Sequence, residues 1–128
     1  MTMVEKIDSA INAHNEWKER LLAAIESGGG ELKPEVIAKD DVCILGKWLY
    51  SDEVPITEKT SSDYEKVRTW HALFHKEAGY VIELVQQQKI DEAKQAMQQE
   101  GRRYFQVSNV LLMLLKQWHD RILAKPKG

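Results

Sequence analysis

Few residues in this chain have side chains suited to chemistry. Among its 128 residues are one cysteine, Cys43, and four histidines, of which His14, His71 and His75 lie within apolar stretches. His71 and His75 are four residues apart, so on a helix they share one face and can converge on a single ion. Three neutral imidazoles and one thiolate supply four nitrogen and sulfur donors, the usual set for a closed tetrahedral zinc site. Such a site carries a net charge near +1, which calls for a carboxylate or carbonyl to hold the imidazole N–H groups. Taken singly, each residue also has a plainer reading. A buried histidine can be satisfied by a backbone carbonyl or a carboxylate, an isolated HxxxH pair is a weak motif, and a lone cysteine more often packs than reacts.

The elements that would carry these residues follow from apolar spacing. Val4, Ile7, Ile11, His14, Lys18, Leu21 and Ile25 recur at steps of three and four, predicting a long helix that ends at Gly28-Gly29-Gly30. Pro34 suits the first turn of a short helix through Ala38, and a second short piece is expected over Asp41 to Tyr50. Pro55 and Thr60-Ser61-Ser62-Asp63 are expected to form a loop that ends in N-cap residues. A long helix from about Ser62 to Gln88 carries Tyr64, Val67, His71, Phe74, Ala78, Ile82 and Val85 on its inner face. The last long helix is expected to run from a cap at Asp91 to about Leu123, with Met97, Tyr104, Leu111, Leu115, Trp118 and Ile122 facing inward and Pro126 beyond its end. No stretch alternates apolar and polar residues, so no sheet is expected. The fold class is all-α: an antiparallel four-helix-type bundle with three long helices and one or two short helical segments.

Two of the predicted apolar stripes hold a histidine where a leucine would serve, and an unmatched imidazole there costs about 1–3 kcal/mol. His14 stands between Ile11 and Leu21, and His71 between Val67 and Phe74. Bulk properties narrow the remaining options. A net charge of −2 and the lack of any basic stripe argue against nucleic acid as a partner. No apolar run approaches the roughly 18 residues of a membrane span. Met1 to Asp8 lacks the pattern of a signal peptide, and one cysteine cannot form an internal disulfide, so a cytoplasmic location is expected.

Three ordered elements, His14-Asn15-Glu16-Trp17, then Cys43-Ile44-Leu45-Gly46-Lys47-Trp48, then His71-Ala72-Leu73-Phe74-His75, resemble the bacterial chemoreceptor zinc-binding (CZB) domain family. The resemblance extends from Val4 to about Leu123 and implies one zinc-binding helical sensor domain over 1–128. It implies zinc ligation by His14, Cys43, His71 and His75, with Trp17, Leu45, Gly46 and Trp48 as support for the site or as core packing. It implies a homodimer without enzymatic activity, serving chemoreceptors or diguanylate cyclases and responding to zinc or to oxidation of Cys43. No receptor signalling hairpin or cyclase domain is encoded in the 128 residues. The expectation is therefore a fragment, or a free-standing protein that acts through a separate partner.

Three other readings compete with a zinc sensor. A metal hydrolase needs an open coordination position, which four donors would fill. A di-iron oxygen carrier needs more histidines than the four present. A metal-free helical interaction module leaves the histidines as satisfied core residues. His119, beside Trp118 near the end of the last helix, favours the helix dipole and stays outside the site.

Overall fold

A computed structural model of the chain describes residues 2–28, 32–99 and 102–124. Seven helices and no strands are found among them: α1 (Met3–Ser27), α2 (Pro34–Ile37), α3 (Ile44–Leu49), α4 (Ile56–Lys59), α5 (Ser62–Gln86), α6 (Ile90–Gln98) and α7 (Arg103–Ala124). The three long helices and the two short pieces expected near Pro34 and Cys43 are all present.

The helix ends follow local chemistry. Thr2 and Glu5 form a reciprocal capping box at the start of α1, and Gly28 closes that helix with a left-handed φ of 86°. Gly29, Gly30 and Pro126 lie outside the described residues. Ser61 caps α5 by accepting the Tyr64 N–H at 3.1 Å. At the other end of α5, Gln88 takes a positive φ of 63°, and the Lys89 N–H reaches back to the Leu84 carbonyl at 2.9 Å.

Four expectations are corrected. The last long helix is divided into α6 and α7, with Gln99 in an extended conformation at the break. Met97 and Tyr104 are seven residues apart, so the apolar stripe stays in phase across the interruption and conceals it. The cap of α6 is Lys89, and Asp91 lies inside the first turn. Pro55 opens a single helical turn, α4, where an irregular loop was expected. Lys18, placed on the inner stripe of α1, is exposed, because a 3.6-residue helical period drifts away from a strict heptad.

Helix α7 runs antiparallel to both other long helices. Asp8 and His14 of α1 meet His119 and Ser108 of α7, while Asp63 and Glu77 of α5 meet Arg121 and Arg103. Helices α1 and α5 are therefore parallel, and the segment bearing α2, α3 and α4 makes the return crossing between them. One contiguous core joins the elements, with Ile7, Leu21, Val67, Ala78, Val81, Ile82, Leu115 and Trp118 fully enclosed.

Two features hold the crossing segment in place. Gly79 on α5 leaves no room for a side chain, since a Cβ there would lie 2.8 Å from the Pro34 carbonyl oxygen, so α2 packs directly on the α5 backbone. At the opposite end, Trp48 of α3 lies against Trp118 of α7 with ring centroids 5.5 Å apart. The indole N–H of Trp118 donates to buried Glu58 of α4 at 3.0 Å, and Arg121 pairs with both Glu58 and Asp63. His119 bridges Asp8 and Asp120, and these carboxylates hold its pKa above the ordinary imidazole value.

Replacing Glu58 by alanine strands the Trp118 N–H and removes one partner of Arg121. Because that guanidinium is 38% exposed, the expected loss is about 2–3 kcal/mol, below the cost of breaking a fully buried pair. Urea denaturation of Glu58→Ala beside the wild type measures it, and a loss under about 0.5 kcal/mol would contradict the clamp.

Candidate metal centre

Helix α5 supplies two ligand candidates from adjacent turns of its buried face. The Nδ1 of His75 donates to the backbone carbonyl of Ile37 at 2.8 Å, so its Nε2 carries the free lone pair. That carbonyl is one of the last in α2, which lacks a further helical turn to satisfy it. The close packing at Gly79 brings it within reach of α5. A turn earlier, His71 directs its Nε2 at the same point, 3.0 Å from His75 Nε2.

Cys43 arrives from the crossing segment as the N-cap of α3, its Sγ 3.2 Å from His71 Nε2 and accepting the Gly46 N–H at 3.3 Å. Gly46 is required at its position. A Cβ there would stand 1.7 Å from the Asp40 carbonyl oxygen, so the loop carrying Cys43 could not fold back on α3 with any larger residue.

The ligand atoms of Cys43, His71 and His75 all lie within 4.8 Å of one another. Zinc bonds of 2.0–2.1 Å to nitrogen and about 2.3 Å to sulfur give tetrahedral edges of roughly 3.3 Å between nitrogens and 3.6 Å between nitrogen and sulfur. The edges of 3.0 and 3.2 Å are close to those values. The donor types, their convergence and the carbonyl behind His75 fit zinc. The Nδ1 of His71 is buried and has no hydrogen-bond partner, so only one of the two α5 imidazoles is held from behind.

His14 is placed differently. Its ring is buried, tilts against Phe74 at 4.7 Å and forms part of the wall of the same cavity, which has a volume of about 290 Å³. Its Nε2, however, is 2.8 Å from the hydroxyl of Ser108 on α7, and neither of its nitrogens joins the three-atom cluster. Of the four ligands expected from sequence, the structure thus gathers three and sets the fourth nearby.

The expected support residues also divide. Trp17 meets His75 edge-on with centroids 5.9 Å apart, and the Arg20 guanidinium lies 4.3 Å over the Trp17 ring at the mouth of the cavity. Leu45 is a buried part of the wall. Trp48 anchors α3 against Trp118 and does not line the cavity. Ser108 and the Ile37 carbonyl were not foreseen. Ser108 occupies the inner stripe of α7 between Tyr104 and Leu111, the kind of polar interruption that marked His14, whereas a backbone carbonyl leaves no trace in residue identity.

Burial governs the protonation of the site. Desolvation lowers His14 to about 4, and it also depresses His71 and His75, where mutual repulsion adds to the effect at His71. The imidazoles are thus neutral, the form able to bind a metal. Desolvation raises the Cys43 thiol, opposed by the backbone N–H of Gly46, and a coordinated cation would reverse the rise.

Two outcomes follow. In the metal-free protein the unfolded chain takes up protons near pH 6.5, while the folded chain resists them. Stability should therefore fall as pH drops from about 6.5 through 4, and the three buried imidazoles should add no slope above about pH 7.5, where only the oppositely signed contribution of His119 acts. Urea midpoints between pH 4 and 8 in the presence of a chelator measure this, and a flat profile would contradict burial of neutral imidazoles. Gly46→Ala should displace Cys43 and weaken zinc binding about 10–100-fold although no ligand is altered. Chelator competition would show this, and wild-type affinity would contradict the close approach to Asp40.

The chain matches the family model of the chemoreceptor zinc-binding domain over residues 14–82, more than half its length. No curated protein and no solved structure matches it. The matched span contains His14, Cys43, His71 and His75 together with the backbone groups behind them, and the chain belongs to the chemoreceptor zinc-binding domain family.

Proposed function

We propose that residues 1–128 form one zinc-dependent sensory domain of bacterial signalling, chemotactic or linked to cyclic-di-GMP, in which His14, Cys43, His71 and His75 hold one zinc ion. The convergence of Cys43 Sγ, His71 Nε2 and His75 Nε2 carries this reading. Bound zinc supplies a charge centre that joins the crossing segment to α5. His71 and His75 are fixed on a 25-residue helix, whereas Cys43 caps a six-residue helix beside loops. Cys43 is therefore the ligand whose backbone is held by the shortest element, and its half-buried sulfur lines the cavity. Oxidation of that sulfur would remove the thiolate donor and release α3, so zinc level and oxidant act on one element.

The domain is regulatory and not an enzyme: its family is sensory, and the four proposed ligands leave no open position on the metal. The output goes to a chemoreceptor or a diguanylate cyclase, as part of the same polypeptide or as a separate partner. No helix among the described residues is long and apolar enough to cross a membrane, consistent with work in the cytoplasm, where Cys43 stays reduced. A homodimer fits the half-buried apolar groove between α5 and α7 at Trp70, Leu73, Phe105 and Val110.

Elemental analysis of the purified protein beside Cys43→Ala tests the proposal. About one zinc per chain is expected, held less tightly by the variant. Free zinc at a hundredfold over the dissociation constant should raise the melting temperature of the stripped wild type by about 10 °C. No zinc on purification, with no uptake under reducing conditions, would overturn it.

A further inference from the structure

We infer that Ser108 is a latch for His14, holding the imidazole on α7 in the metal-free protein and releasing it when His14 becomes the fourth zinc ligand. The inference rests on the ligand set proposed above. Three observations lead to it. His14 Nε2 and Ser108 Oγ are 2.8 Å apart with both residues buried, so the contact is shielded from competing water. Cys43, His71 and His75 are already within one coordination sphere, while neither nitrogen of His14 is. His14 nevertheless lines the same cavity, with about 290 Å³ into which its ring can turn.

Joining the other three donors therefore requires the ring to move, and a 2.8 Å hydrogen bond does not survive a displacement of that size. The lone pair involved is the same in both states. Neutral His14 can accept the Ser108 hydroxyl proton at Nε2, and the nitrogen that gives up this bond becomes the donor to zinc. No proton need leave His14, and the Ser108 hydroxyl is freed to turn to a carbonyl of its own helix.

The exchange gives zinc a route to α7. His14 is the only proposed ligand tied by its side chain to that helix, which also carries Trp118 and Arg121 of the clamp on α3 and α4. Metal occupancy would then be felt at α7 twice, through loss of the Ser108 contact and through movement of α3.

The sign of one measurement separates a latch from a support. If Ser108 competes with zinc for His14, Ser108→Ala should bind zinc about two- to tenfold more tightly than the wild type, and its metal-free form should melt a few degrees lower. If Ser108 instead orients His14 for coordination through Nδ1, the same change should weaken binding about 10–100-fold. Chelator competition with zinc on the full chain, and melting of the stripped protein, read both quantities, with His14→Ala measured alongside. Tighter binding by Ser108→Ala, with a loss of at least a hundredfold in His14→Ala, supports the latch. Unchanged or weaker binding by Ser108→Ala overturns it while leaving the ligand set intact. Wild-type affinity in His14→Ala removes His14 from the ligand set and the latch with it.

Discussion

The Nε2 of His71 lies about 3 Å from both His75 Nε2 and Cys43 Sγ, at the wall of one cavity in which both imidazoles are buried. His75 offers only a lone pair toward that point, because its other nitrogen is committed to the Ile37 carbonyl. The proton on His71 is not fixed by a partner at Nδ1, and a divalent cation would engage both imidazole lone pairs and the thiolate together. The surrounding structure serves this convergence. Gly79 lets α2 lie on the α5 backbone and bring its carbonyl to His75, and Gly46 lets the 40–46 loop fold tightly enough to bring Cys43 to His71. The Trp48–Trp118 contact and the Glu58–Arg121 pair hold the other end of the crossing segment, so Cys43 has a defined resting place.

The parts of the fold legible in sequence were those written in side-chain periodicity and cap chemistry. The three long helices, the Pro34 turn and the Ser61 cap all have residue signatures. The break near Gln99 left none, because residues seven apart remain on one face whether or not the helix between them is continuous. Helix α4 was hidden for a different reason. One turn built on a proline N-cap presents too few residues to show a period, and its buried member is a glutamate.

At the site, residue types and spacing singled out Cys43, His71 and His75, whose ligand atoms the structure places together, and also His14, which it places beside them. The sequence could not show the resting partner of His14. A serine on an apolar stripe, like a histidine on one, announces an unmet polar group, but only the antiparallel pairing of α1 with α7 shows that the two satisfy each other. Support from the Ile37 carbonyl was invisible in principle, because every residue carries the same backbone oxygen.

Cys43 and His71 are 28 residues apart along the chain, and the intervening stretch contains both α3 and α4. In the proposed site, a metal bond between them would act on the polypeptide as a reversible cross-link. Closing a loop of that length restricts the unfolded chain by about 3–4 kcal/mol in the chain-entropy treatment, much as a disulfide would. Unlike a disulfide, such a staple would open on loss of the metal or of the thiolate, with no covalent bond of the chain broken. Its removal would return that configurational freedom to residues 43–71 of the unfolded chain, a stretch that includes α3, α4 and the first turns of α5.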